Sequence, residues 1–175
     1  MSGGKLLFST IEVTKQAFYR SSTALSFAIV NLKPIVPGHV LVIPARPVAR
    51  LADLRADELG CLMQSVQKVG NIVEKAYGAH GLTVACQDGP AAGQSVPHVH
   101  FHVIPRKLKG DAFSGEANDQ IYPALEKNEG ELSKELRAQG EGAGEAIKMD
   151  NEAREARSME VMEKEAGWLA EFFRE

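Results

Sequence analysis

From Ala56 to Tyr77 the apolar residues Leu59, Leu62, Met63, Val66, Val69, Ile72 and Val73 recur at threes and fours, which predicts one long amphipathic helix. Gly78 and Gly81 end it. Upstream, Leu25 to Val30 and Val40 to Ile43 are short β-rich runs, separated by a connection that Pro34, Pro37 and Gly38 punctuate. Downstream, "GLTVACQ" predicts a strand, "DGPAAGQSVP" a glycine- and proline-rich loop, and "HVHFHVI" a further strand closed by Pro105. Short strands in antiparallel order around one long helix give an α+β architecture.

The pattern fades after "IYPALEKNEG". Residues 130–157, including "AQGEGAGEA", are mostly small or charged and predict a flexible insertion. It recovers at the end, where Ser158 is placed to cap a helix with Glu160 in its first turn. Val161, Met162, Trp168, Leu169, Phe172 and Phe173 give that helix an apolar face to dock on the core or on a partner subunit. The chain thus divides into a main domain over 1–129, the insertion over 130–157 and a terminal helix over 158–175.

Three of the five histidines stand in "HVHFHVIPR", each two residues from the next. On a strand, positions two apart share a face, roughly 6.6 Å apart at each step. His98, His100 and His102 then line one side, while Val99, Phe101 and Val103 turn the other way into the core. A helix would scatter the same residues around its axis.

Composition narrows what such a face does. At 175 residues, with 44% hydrophobic and 25% charged residues, the chain forms one ordinary domain with a real core. A formal net charge of -3 argues against an electrostatic nucleic-acid binder, so any phosphate site must be built locally. Cys61 and Cys86 are too few for a disulfide framework or a cysteine-rich zinc module. No apolar run approaches the ~20 residues needed to span a bilayer, and the N-terminus lacks the form of a signal peptide. These features predict an intracellular protein, in the cytoplasm with the nucleus as a second compartment.

A metal site is one reading of the histidines, since imidazole is the commonest zinc ligand. His39, His80 or a carboxylate would have to complete it, and no acidic partner lies in the adjoining loop; no bound metal is expected. A solvated or structural histidine cluster is the second reading. The third is phosphate chemistry. Gly89 and Gly93 in "QDGPAAGQS" let backbone approach an anion, and Gln94 and Ser95 add side-chain donors. Neutral imidazole, with a pKa of about 6.5, keeps a free lone pair near neutrality. Its attack on phosphorus splits one hard displacement into two easier ones through a labile N–P bond. Neighbouring histidines can neutralise oxyanion charge and protonate the leaving group. The reading requires the central ring to be open to a nucleotide.

The stretches "VNLKPIVPGHVLVIP", "QDGPAAGQSVPHVHFHVIPR" and "NDQIYPALEKNEG" resemble the fragile histidine triad branch of the histidine triad superfamily. The likeness runs from about Phe8 to Gly130, and "MEKEAGWLAEFF" is similar to the tail of fungal members. It implies a histidine triad fold: a five-stranded antiparallel sheet with one long helix and a C-terminal helix, the sheets of two subunits joined in a homodimer with the long helix partly at the interface. It also implies hydrolysis of diadenosine triphosphate and related dinucleoside polyphosphates to AMP plus a second nucleotide, through adenylyl-histidine.

By the same resemblance His100 is the nucleophile, His102 contacts phosphate and assists the leaving group, and His98 and His39 orient and support the site. Asn31 and Gln87 match substrate contacts, Gly93, Gln94, Ser95 and Val96 match the phosphate loop, and Phe8 matches a residue against the adenine. Taken singly, His39 reads as a loop residue, Asn31 as turn chemistry, Gln87 as a strand-end polar group and Phe8 as a core anchor. Tyr122 is assigned no role. No protein-bound cofactor is implied; magnesium or manganese assists by complexing the substrate. Neither nucleic acid nor membrane is expected as a partner. The competing functions are a nucleoside phosphoramidase of the sister branch, against which Pro105 and Arg106 speak, and a nucleotide-sensing binding module.

Overall fold

The computed structural model describes residues 4–140 and 156–174. A two-stranded hairpin, β1 (Leu7–Phe8) and β2 (Ile11–Glu12), precedes β3 (Ala17–Arg20), β4 (Ser26–Val30) and β5 (Val40–Pro44). Helix α1 (Ala56–Tyr77) follows, then β6 (Gly81–Ala85), β7 (Phe101–Arg106), α2 (Ile121–Gly140) and α3 (Met159–Glu171). The five strands from β3 onward form one antiparallel sheet in the order β3-β4-β5-β7-β6.

Both faces of the central strands are covered, which is why β4 and β5 read as unbroken apolar runs instead of alternating. On one face Ala28, Val30, Val40, Val42, Val99 and Val103 pack under Leu62, Val66, Val69 and Val73 of α1 and Met162, Ala166 and Leu169 of α3. On the other, Phe27, Ile29, Leu41 and Ile43 pack under Phe8, Val96, and Leu132 and Leu136 of α2. A third cluster joins Ile104 of β7 to Ile121 and Leu125 of α2. The histidine face is therefore the one that α2 covers.

Helix α1 has the predicted bounds. Its N-terminus is closed by Glu58, which accepts from the Arg55 amide at 2.9 Å, and Gly78 terminates it at φ 60 in the left-handed region. Helix α3 is capped by Ser158 as expected, and its inward residues belong to this chain's own core.

The segment from 130 differs from expectation. Gly130 to Gly140 continue α2 instead of forming a flexible insertion; 141–155 fall outside the described residues. Ile121, Leu125, Leu132 and Leu136 recur on one helical face, and burying that stripe offsets the weak helix propensity of Gly130.

The histidine strand also starts later than predicted, at Phe101. Pairing with β5 ends at Val42↔Phe101, because Pro44 has no N–H to offer and the Val99 amide donates to the Val48 carbonyl instead. The alternation of faces nevertheless persists back through His98, since Val99 joins the α1 face. Pro105 does not close the strand, which runs on to Arg106. The Arg106 carbonyl accepts from the His80 amide on the β6 side, so the nitrogen of Pro105 faces the β5 side, where pairing has already stopped at Val40↔Val103. Among the described residues no helix is long and apolar enough to cross a membrane.

Candidate active site

The predicted face brings the histidines together. The rings of His100 and His102 lie 5.2 Å apart, as do those of His102 and His39. Phe8 packs against His98 at 5.6 Å and His100 at 5.1 Å. All four histidines are buried.

Hydrogen-bond partners assign the tautomers. The Ser9 amide donates to His98 Nδ1 at 2.8 Å, so Nε2–H donates to the Pro44 carbonyl, also at 2.8 Å. Burial lowers the His98 pKa to about 4, which keeps this ring neutral. The Ile35 amide donates to His39 Nδ1 at 3.1 Å, leaving His39 Nε2–H to donate to His102 Nδ1 at 2.9 Å. His102 is then left with an Nε2–H donor, and burial lowers its pKa too. His100 Nδ1 donates to the His98 carbonyl at 2.7 Å and so turns Nε2 away from the backbone, the orientation a nucleophile on phosphorus needs.

That nitrogen is not open to solvent, contrary to what the sequence reading required: His100 is 1% exposed. Glu129, from the middle of α2, is fully buried directly over it. Its Oε2 lies 2.8 Å from His100 Nε2 and 3.0 Å from His102 Nε2, while Oε1 accepts from the Ser95 amide at 2.9 Å and the Ser95 hydroxyl at 3.4 Å. Burial alone would raise the Glu129 pKa; hydrogen bonds from His100, His102 and the Ser95 amide outweigh it and hold the carboxyl well below the usual range. With His100 Nδ1 already donating, a proton must lie between His100 Nε2 and the carboxylate.

Glu129 is the functional candidate that sequence reasoning missed. Its one signal is position, as a charged residue between Leu125 and Leu132 on a helix whose apolar stripe faces the histidines. Glu129 is also the acidic neighbour whose lack counted against a metal. Ligand atoms of His100, His102 and Glu129 lie within 4.8 Å of one another. They already satisfy each other as donors and acceptors, so no ion is needed to explain their approach. His80 stays outside the cluster, exposed and accepting from the Leu108 amide.

The remaining predicted residues divide. Gly93, at φ 88, turns the loop so that Ser95 aims its amide and hydroxyl at the anion, and Val96 anchors the loop in the core. Gln94 does not face the anion: it accepts from the Gly89 amide at 2.8 Å and donates to the Ala49 carbonyl at 2.9 Å, so it shapes the loop. Asn31 is buried beside His39 and fixes the turn by accepting from the Lys33 amide at 3.1 Å. Gln87 lies against Gly93, its Oε1 buried without a partner. Phe8 is fully buried in the core, where it wedges the histidine rings. Tyr122 is exposed. A cavity of about 540 Å³ lies elsewhere, between Thr10–Gln16, Arg137 and Met159, and holds none of this chemistry.

The HIT domain matches residues 10–109. The bis(5'-nucleosyl)-tetraphosphatase (asymmetrical) of Schizosaccharomyces pombe is 51% identical over 181 residues, which cover 98% of this chain and 96% of that protein. A bifunctional bis(5'-adenosyl)-triphosphatase/adenylylsulfatase of Arabidopsis thaliana is 47% identical over 146 residues, or 83% of this chain and 78% of that one. The crystal structure of Plasmodium falciparum diadenosine triphosphate hydrolase in complex with cyclomarin A superposes with a TM-score of 0.69 over 99% of this chain and 87% of its own; at 23% identity the likeness is one of fold. With the domain match spanning the sheet and the triad, and with relatives this similar over most of their length, the chain belongs to the HIT domain family.

Proposed function

We propose that this chain is an enzyme that hydrolyses dinucleoside polyphosphates by nucleotidyl transfer to His100. One observation carries the reading: four donors, from His100, His102 and Ser95, converge on the two oxygens of an anion. Here that anion is a carboxylate. A phosphate group offers the same acceptors, and relatives named as triphosphatase and tetraphosphatase act on phosphate chains.

In the reaction, the lone pair of His100 Nε2 forms a bond to the α-phosphorus as the bond to the departing nucleotide's oxygen breaks. The His98 carbonyl holds His100 Nδ1–H and so keeps Nε2 aimed at phosphorus. His102 Nε2–H is placed to donate to phosphate or leaving-group oxygen, and His39 fixes that tautomer through Nδ1. Water then attacks phosphorus, the N–P bond breaks, and AMP departs with a regenerated imidazole. His98 and His39 are positioning residues; Asn31 and Gln87 contact the ribose and phosphates. The cation is substrate-borne magnesium or manganese. The enzyme works as a homodimer in the cytoplasm and nucleus, with Val84 exposed on edge strand β6 as a joining point.

The test is incubation with diadenosine triphosphate, diadenosine tetraphosphate and an adenylyl-amine, each labelled at the α-phosphorus. The expected result is an acid-labile adduct on His100, fastest turnover of a dinucleotide, and near abolition of hydrolysis in His100→Asn with nucleotide binding retained. Wild-type-like turnover in that variant would refute the role given to His100, and faster cleavage of the adenylyl-amine would make the chain a phosphoramidase.

A further inference from the structure

We propose that α2 is an internal strap that holds the enzyme latent, with the Glu129 carboxylate occupying the position of a substrate phosphate until a dinucleotide displaces it. The inference rests on the nucleotidyl-histidine reading and adds to it how access to the site is controlled.

Occupancy comes first. The donors that bind Glu129 are those the reaction requires, namely His100 Nε2, His102 Nε2 and the amide and hydroxyl of Ser95. A carboxylate oxygen 2.8 Å from His100 Nε2, with a proton between them, leaves that nitrogen no lone pair for phosphorus. The closed form is therefore chemically inactive, and Glu129 must leave before His100 can attack.

The second ground is what α2 is built to do. Ile121, Leu125, Leu132 and Leu136 seat the helix on the sheet, two on either side of Glu129. Asn128 donates to the Lys33 carbonyl at 2.7 Å, and Glu135 pairs with Lys33, so the strap is clasped to the turn that carries Asn31. An apolar residue at 129 would extend the stripe without the desolvation penalty of a buried carboxylate. A charge placed there, over the nucleophile, answers a need other than stability.

The third ground is that the strap can be released. Gly130 directly follows the carboxylate and lowers helix propensity at that point. On its underside Asn128 Oδ1 has no partner, and Gln16, which donates to Gln139 at 3.2 Å, leaves its Oε1 unpaired. Such unsatisfied buried acceptors mark a contact that is less complete than a core. A ligand then shifts the closed–open equilibrium by its preference for the open state, and its apparent affinity falls by the fraction of molecules that are closed.

The experiment compares wild type with Glu129→Ala and Glu129→Gln, each first shown by circular dichroism and melting to be folded. Two readouts are taken: kcat/KM on diadenosine triphosphate, and the rate at which diethylpyrocarbonate, which acylates unprotonated imidazole, modifies His100 by peptide mass spectrometry. We expect Glu129→Ala to raise kcat/KM about fivefold or more, chiefly through KM, and to raise the His100 modification rate about tenfold, with Glu129→Gln between. Wild-type rates of modification in Glu129→Ala would overturn the strap, as would a fall in kcat/KM with no lowering of KM. Faster modification in a chain that hydrolyses no dinucleotide would uphold the strap and remove the reading it rests on.

Discussion

His98 provides a pH-dependent measurement of how tightly the histidine face is sealed. It is fully buried, with Nδ1 accepting from the Ser9 amide and Nε2–H donating to the Pro44 carbonyl, so a second proton on Nδ1 would face the Ser9 N–H instead of an acceptor. Desolvation lowers its pKa to about 4, against about 6.5 in the unfolded chain. Between those values the unfolded state binds the proton and the folded state does not, so stability is full above pH 6.5 and is lost as pH falls through 4. At 1.36 kcal/mol per unit, the 2.5-unit difference amounts to about 3 kcal/mol, a large share of the 5–15 kcal/mol typical of a domain. For a domain of this size that is a fall in Tm of roughly 6–12 °C.

The assay is urea unfolding at half-unit steps from pH 7 to pH 4 for wild type and His98→Gln. Buried His102, also held neutral, contributes to both proteins, and Glu129, held ionised to below the usual carboxylate range, adds its loss only below about pH 4.5. The difference between the two profiles therefore isolates His98. Wild type should lose stability faster by up to about 1.4 kcal/mol per pH unit, although the variant is less stable at pH 7. Parallel profiles from pH 6.5 to pH 4.5 would refute the claim that this face excludes a proton.

Two substitutions away from the histidine rings test the frame that holds them. Gly38→Ala should cost roughly 3 kcal/mol and lower kcat, because a side chain at φ 87 is strained and its Cβ would lie 2.5 Å from the Tyr77 ring, just before His39; a Tm within 2 °C of wild type, the outcome about 3 kcal/mol forbids, would contradict this. Arg46→Ala removes a fork of 2.8 and 2.6 Å bonds from buried Glu58, whose pKa those bonds lower to about 2, and should lower stability near neutrality, the gap narrowing below pH 4.5 as the variant's unpaired carboxylate takes up a proton that the wild-type one refuses until about pH 2; a constant difference down to pH 3 would argue against the pairing.

The sequence was legible where a period was unbroken. The recurrence from Leu59 to Val73 marked α1, of which Leu62, Val66, Val69 and Val73 meet the core while Leu59 and Met63 stay exposed, and the spacing of two in "HVHFHV" put three imidazoles on one side. It was less legible where tertiary contacts override local pattern. In α2, Pro123 and Gly130 interrupt a stripe of only four residues, and nothing local says that a sheet lies beneath it. Glu129 looks like any helical carboxylate, since only the fold reveals that it points inward. Gln94 reads as a donor to phosphate because its amide suits that role, yet loop closure onto Gly89 and Ala49 claims both ends of it. Phe8, legible as a core anchor or an adenine contact, is buried among the rings.

The proton inventory explains how a chain of net charge -3 can hold a triphosphate. From the Ile35 amide through His39 and His102 the hydrogen bonds run one way, and each ring is neutral and passes on a single N–H. With the Ser95 amide, His102 presents a neutral donor beside the proton-bearing His100 Nε2, so the orientation of these groups, and not the chain's net charge, binds oxygen. The substrate-borne cation proposed above would lower the charge to be buried. Glu129 fits that arrangement as well: a single carboxylate matches the donors well enough to keep them dry, and carries less charge than the polyphosphate that must replace it.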